Sequence, residues 1–240
     1  MMEYRNYIFD FYGTLCDINT NENKTSLWKK TAEIYSAYGA FYTGRELKRA
    51  FKEAIKSDCL KHSEEEYYEP DVTGVFKTLF NLKGIQITED LARNTAITFR
   101  ALSRSYIRLY PGVEELLGSL KKRNKKIYLL SNAQTDFTRP EITMLGIGHF
   151  FDGIFISSEQ MVKKPGRLFF ERLLKTYSLK PEESIMIGND EAADIAGAME
   201  VGMDSLYIHS NISPGEYGKL KPTYCIPDGD FNRIKELILN

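Results

Sequence analysis

Two rhythms of apolar residues divide this chain. Tyr7-Ile8-Phe9 is a short β-prone run that stops at Asp10, and Phe11-Tyr12-Gly13-Thr14 then brings the Gly and Thr of a turn. The pattern predicts a first strand with Asp10 at its carboxyl end. From about Lys24 to Ser105 the spacing turns helical: Leu47, Phe51 and Ile55 recur at helical intervals, and Thr43 with Glu46 has the form of a capping box. A separate helical insert is predicted here, with Trp28 and several tyrosines packing its helices. Beyond it, short apolar runs return and alternate with helices. Pro111-Gly112 opens a helix through Val113, Leu116, Leu117 and Leu120, and Lys126 to Leu130 forms a strand ending at Ser131. Gly153 to Ile156, Ser184 to Ile187, Ser205 to Ile208 and Tyr224 to Ile226 read as further strands, with a helix after Pro165 and a closing helix from about Phe231. Strands this apolar, alternating with helices, imply an α/β fold: a doubly wound parallel sheet, covered on both faces, whose ligands bind beyond the carboxyl ends of the strands.

Composition narrows the partners. The 240 residues are 42% hydrophobic and 27% charged, enough for a packed core, and 32 basic against 33 acidic side chains leave a net charge of -1. No broad positive field results, so neither nucleic acid nor an anionic membrane surface is an expected partner. No apolar stretch approaches the roughly 18 residues of a membrane helix, and the polar start, Met1 to Asn6, lacks the order of a signal peptide, so a cytoplasmic location is expected. Cys16, Cys59 and Cys225 are scattered and read as reduced thiols. His62, His149 and His209 follow no ligand spacing, and Glu64-Glu65-Glu66 reads as a solvated face.

Three predicted strands end in residues suited to reaction with an anion: Asp10, then Ser131-Asn132, then Gly188-Asn189-Asp190. Lys164, just ahead of Pro165, adds a cation, and the set makes an anion site holding a nucleophile. At these positions the sequence resembles the haloacid dehalogenase superfamily. Phe9-Asp10-Phe11-Tyr12-Gly13-Thr14-Leu15 is similar to its first motif, DxDGTL, Leu130-Ser131-Asn132 to the second, Lys164-Pro165 to the third, and Gly188 to Ile195 to the acidic fourth, with Gly197-Ala198 and Gly202-Met203 following. The resemblance covers about Tyr7 to Asp17 and Tyr110 to Met203. It implies a Rossmann-like core of residues 1–17 and 106–240, and an α-helical cap domain of residues 18–105 that closes over the site.

The same resemblance implies a hydrolase acting on a small anionic, phosphorylated molecule, in which Asp10 attacks and carries a covalent intermediate. Lys164 offsets the charge repulsion, while Ser131, Asn132 and the backbone N–H groups around Phe11 to Thr14, with Gly13 and Thr14 among them, bind the transferring group. In phosphatases of the family Mg²⁺ bridges nucleophile and phosphate; its ligands map here to Asp10, the main-chain carbonyl of Tyr12, and Asn189 or Asp190, with Asp194 completing the acidic spacing. Monomer and homodimer are both open.

Two departures matter. The second aspartate of the first motif, an acid and base in the family, is Tyr12 here, and a phenol with a pKa near 10 is no base at pH 7. Loss of that group favours substrates whose leaving group needs no proton, and 2-haloacid dehalogenases of the family share the tyrosine. Against them stand Phe170, where their tyrosine is expected, and Ala193, where an aromatic is expected. A Mg²⁺-dependent phosphomonoesterase is the principal expectation, with carbon–halogen hydrolysis and a weakly active binding relative as alternatives.

Overall fold

The structure, a computed structural model, describes residues 4–215 and 217–238; the polar start at Met1 to Glu3 lies outside them. In chain order the elements are β1 (Asn6–Phe9), β2 (Cys16–Thr20), α1 (Thr25–Ala37), α2 (Gly44–Lys61), α3 (Val72–Asn81), α4 (Glu89–Ser103), β3 (Arg104–Leu109), α5 (Val113–Lys122), β4 (Lys126–Ser131), α6 (Thr135–Met144), β5 (Gly153–Ile156), α7 (Ser157–Gln160), α8 (Arg167–Tyr177), β6 (Ser184–Gly188), α9 (Ala196–Glu200), β7 (Asp204–Ile208), β8 (Tyr224–Ile226) and α10 (Phe231–Ile238). A turn of π-helix, Glu191–Ile195, leads into α9.

Six strands form one parallel sheet in the order β5-β4-β1-β6-β7-β8. Its strands read as unbroken apolar runs because both faces are covered, and alternate side chains feed opposite cores. Tyr7 and Phe9 of β1, Ile127 and Leu129 of β4, and Ile185 and Ile187 of β6 pack on one side with Leu116 and Leu120 of α5 and Ile234 of α10. Ile8, Tyr128, Leu130 and Met186 pack on the other with Phe169, Phe170 and Leu173 of α8. Truncating a fully buried leucine or isoleucine in such a layer costs about 2–5 kcal/mol. Register matters most for the site. Phe9 pairs with Leu129 on one side and Ile187 on the other, so Asp10, just past β1, lies level with Leu130 and Gly188 near the ends of β4 and β6.

Helices α1 to α4 bury a core of their own, built on Trp28, Tyr35, Leu47, Phe76, Phe80 and Phe99 and joined by Phe137 from α6. Tyr35 stacks on Phe80 with centroids 3.9 Å apart. Thr43 and Glu46 form the capping box that starts α2, their backbone N–H groups donating reciprocally to each other's side-chain oxygens. Asp71 and Thr88 cap α3 and α4.

The insert is entered through β2 and left through β3, which pair antiparallel as a separate ribbon. Sequence patterning does not reveal this ribbon, since Cys16-Asp17-Ile18-Asn19-Thr20 is largely polar and β3 is exposed or half-buried along its length. The expected changeovers at 17/18 and 105/106 therefore fall inside paired strands, where Asp17 faces Arg108. Helix α6 also escapes the pattern, because Pro140 sits inside it. Among the described residues no helix is long and apolar enough to cross a membrane.

Candidate active site

Asp10 sits one residue beyond β1, its N–H donating to the carbonyl of Ile187. It is 8% exposed, and its Oδ1 lies 2.6 Å from Nζ of Lys164. That ammonium is buried and also meets the carbonyl of Leu130 at 2.8 Å and Oδ1 of Asp194 at 2.7 Å. Asn132 holds the lysine backbone: its amide donates to the carbonyl of Lys164, while the N–H of Lys164 donates to Asn132 Oδ1. The motifs expected after β1, β4 and β6 thus meet at one lysine.

Electrostatics follow from two carboxylates sharing one ammonium. Burial works to lower the pKa of Lys164, and Asp10 and Asp194 outweigh it, so the group lies above the ordinary lysine value and stays charged. Burial pushes the Asp194 carboxyl up to about 7, with Asp10 adding to the rise and Lys164 opposing it. Glycine at 188 admits this arrangement, because a Cβ there would collide with the Asp194 carboxylate.

Beside this pair lies an unsatisfied donor. Ser131 Oγ, at the end of β4, is buried and has no hydrogen-bond partner. A buried hydroxyl left unpaired is costly unless something else fills the role. The N–H groups of Phe11 and Tyr12 likewise donate to no described residue, whereas Gly13 donates to the carbonyl of Cys16 and Thr14 to that of Phe11. Of the N–H groups expected as donors from Phe11 to Thr14, those of Gly13 and Thr14 are used within the loop, which leaves those of Phe11 and Tyr12 available. Gly13 has a different use: at φ 82 it adopts a left-handed conformation, and a Cβ would strike the Asn189 side chain. The Thr14 hydroxyl donates to Asn189 Oδ1 at 3.1 Å and to Asp10 Oδ2 at 3.4 Å.

This geometry bears on a divalent cation. Among the described residues no three His, Cys, Asp or Glu side chains gather as a metal-binding group. Asp190 turns Oδ1 to the N–H groups of Ala192 and Ala193 as an N-cap, and Asp194 gives Oδ2 to the N–H of Asp190 and Oδ1 to Lys164. The oxygens left near Asp10 are Oδ1 of Asn189, linked to it through Thr14, and the carbonyl of Tyr12, since the bridge between Tyr12 and Cys16 uses the carbonyls of Phe11 and Cys16 instead. One carboxylate with neutral oxygens suits a hard cation that keeps several waters.

The Tyr12 side chain points into a second charged cluster. Its hydroxyl donates to Glu141 Oε2 at 2.6 Å and lies 2.9 Å from the Thr138 hydroxyl, while the Arg100 guanidinium lies over its ring, 5.3 Å from the centroid. Arg100 and Arg104 both donate to Glu141 Oε1, at 2.8 and 2.7 Å. Burial and the Glu141 charge drive the phenol well above its usual pKa, although Arg100 opposes the shift. Cys16, buried under the loop, is likewise raised by burial and stays a thiol. Sequence reasoning missed Arg100, Arg104 and Glu141, which carry no motif; an acidic residue inside α6 is the one faint signal.

Insert and core enclose a cavity of about 520 Å³ lined by Tyr12, Glu69, Arg100, Asn132 and Gln134, with Phe51, Phe99 and Phe137 among its apolar walls.

A doubly wound sheet with carboxylate, lysine and hydroxyl gathered at its carboxyl edge defines a Rossmann-like α/β protein with its candidate site at the strand ends. Residues 4–202 match the haloacid dehalogenase-like hydrolase model, and the chain belongs to that family. Over 145 residues it is 32% identical to the glyceraldehyde 3-phosphate phosphatase of Methanothermobacter thermautotrophicus, covering 59% of this chain and 64% of the relative. Over 123 residues it is 30% identical to the phosphoserine phosphatase of Thermus thermophilus, covering 51% and 49%. The chain spans about half to two thirds of the length of the curated relatives it matches. In fold it is similar to a 2-haloacid dehalogenase from Pseudomonas syringae pv. Tomato DC3000, at TM-score 0.68 and 16% identity over 100% of this chain and 99% of that one. A HAD phosphatase from Thermococcus onnurineus gives 0.60 and 18% over 97% of each.

Proposed function

We propose that this chain hydrolyses small phosphate monoesters through a phosphoaspartyl intermediate on Asp10. One observation carries the reading: a carboxylate at a strand end, 2.6 Å from a buried lysine, next to a buried serine hydroxyl that lacks a partner. A phosphoryl oxygen would accept from that hydroxyl. Ser131 Oγ and the N–H groups of Phe11 and Tyr12 would receive its oxygens, Lys164 would neutralise charge as Asp10 bonds to phosphorus, and Asp194 would hold Lys164 in place. Similarity to curated phosphatases supports the same reaction. Mg²⁺ would be held by Asp10, the Tyr12 carbonyl and Asn189, and would offset repulsion between nucleophile and ester. The helical insert would act as a cap whose closure excludes water from the cavity. We place the reaction in the cytoplasm, where thiols such as Cys59 and Cys225 stay reduced.

A second reading, carbon–halogen hydrolysis, draws support from Tyr12, whose phenol is held by Glu141 and cannot act as a base. One experiment separates the two: phosphate esters and 2-haloacids are assayed with Mg²⁺ and with a chelator, using the wild type and Asp10→Asn. Phosphate release that stops with chelator and falls at least about 10⁴-fold in Asp10→Asn is expected. Halide release indifferent to chelator would establish the second reading, and full turnover by Asp10→Asn would end both.

A further inference from the structure

Hydrolysis of an alkyl phosphate needs a proton for the departing oxygen and a base for the incoming water, and Tyr12 supplies neither. The carboxylates around the site are mostly engaged. Asp10 and Asp194 flank Lys164, Asp190 caps a helix, and Asp17 is held by Arg108 and Asn211. Two carboxylates line the cavity, Glu22 and Glu69. Glu22 has a side chain 47% exposed, 4.0 Å from Arg100. Glu69 is 14% exposed and belongs to the segment joining α2 to α3, which is fastened to the core on both sides. Gln134 donates to Glu69 Oε1 at 3.0 Å and to the carbonyl of Pro70 at 2.9 Å, and accepts from the N–H of Val72. Tyr68 pairs antiparallel with Val162, and the Lys163 N–H donates to the carbonyl of Tyr67. Glu69 is therefore tied at once to the loop that carries Asn132 and to the segment that ends in Lys164.

We propose that Glu69, on the helical insert, is the general acid and base that replaces the missing aspartate at position 12. The assignment rests on the Asp10 reading above. As an Asp10 oxygen bonds to phosphorus, the bond to the leaving oxygen breaks and its electron pair takes the Glu69 proton, releasing the alcohol. The Glu69 carboxylate then takes a proton from water, whose oxygen bonds to phosphorus as the Asp10–phosphorus link breaks. Asp10 and protonated Glu69 are regenerated with inorganic phosphate. Burial raises the Glu69 pKa, opposed by Lys163 at 4.0 Å and by hydrogen bonds from Gln134 and Ser157. Glu22, Arg100 and Tyr12 are the other titratable groups facing the same cavity. The acid form persists below that pKa, so kcat/KM for alkyl esters falls as pH rises through it.

The test compares wild type, Glu69→Gln, Glu69→Asp and Asp10→Asn, all with Mg²⁺, on phosphate monoesters ranging from alkyl to nitrophenyl. Glu69→Gln keeps the oxygen that accepts from Gln134. It should lose about 10²- to 10⁴-fold on alkyl esters, far less on nitrophenyl phosphate, and lose the alkaline fall of kcat/KM. Glu69→Asp, which keeps the acid, should retain that fall with an intermediate rate. An equal loss on every ester with the pH profile unchanged, or no loss at all, would overturn the assignment while Asp10→Asn stays inactive. Full turnover by Asp10→Asn would instead remove the reading beneath it, and the assignment with it.

Discussion

Two buried charge clusters begin within two residues of each other, and they are built to opposite ends. At Asp10, two carboxylates share the Lys164 ammonium, and a serine hydroxyl beside them is unpaired. At Tyr12, two arginines share the Glu141 carboxylate, and the phenol completes its hydrogen bonding. The first cluster leaves a serine hydroxyl unpaired and carries an excess of negative charge; the second carries an excess of positive charge, but its carboxylate and phenol have their hydrogen-bond partners. An unpaired buried hydroxyl calls for a water, an ion or a ligand to complete it, whereas a closed network fastens elements together. Here the closed one joins α4 of the insert, β3, α6 and the loop after β1.

The contrast can be broken by substitution. Replacing Lys164 with Met leaves Asp10 and Asp194 facing each other without a cation, so turnover should vanish and thermal or denaturant unfolding should show a loss of about 3–5 kcal/mol. If Lys164→Met kept its activity, the open cluster would not be the reaction centre. Glu141→Gln leaves two largely buried arginines without their anion. About 3 kcal/mol of stability should go, with aryl phosphate turnover falling much less than in Lys164→Met. Equal falls in the two variants would erase the distinction between the clusters. Tyr12→Phe removes one hydrogen bond to a charged acceptor, worth about 1.5 kcal/mol, and should leave turnover nearly unchanged, which melting curves and steady-state kinetics would show.

A further effect is expected in pH dependence. Asp194 has a carboxyl raised from 3.8 to about 7, so the folded protein binds a proton there that the unfolded chain has released. Stability from this site is present below about pH 4 and is lost as pH rises toward 7. Melting temperatures measured from pH 4 to 7 without metal should therefore decline less steeply in Asp194→Asn than in the wild type. A steeper decline in the variant would contradict the raised Asp194 carboxyl.

Much of this was legible in the chain. Apolar runs such as Tyr7 to Phe9 and Ser184 to Ile187 declare themselves because strands buried on both faces need no alternation, and their polar stops mark the carboxyl edge where the site lies. Thr43 and Glu46 announced a helix start through local hydrogen bonding alone. What stayed hidden depends on distance in sequence. Glu141 is buried by Arg100 and Arg104, 41 and 37 residues away, and neither propensity nor spacing signals such a pairing. Spacing alone does not separate Asn189 from Asp190; in the fold Asp190 caps the following helical turn, while Asn189 meets Thr14. Glu69 looks like one more member of an acidic stretch until Gln134 is seen to hold it.

The antiparallel ribbon of β2 and β3 has a mechanical consequence. A domain hung from one strand could swivel about its linker, but here the outgoing and returning chains are laced side by side, from Cys16 against Leu109 to Thr20 against Arg104. Torsion would tear those hydrogen bonds, while bending across the flat of the ribbon would spare them. The register shift between Asn19 and Thr20 is its weakest point in bending. The ribbon thus joins the four helices to the core through two paired strands, a stiffer connection than two separate linkers.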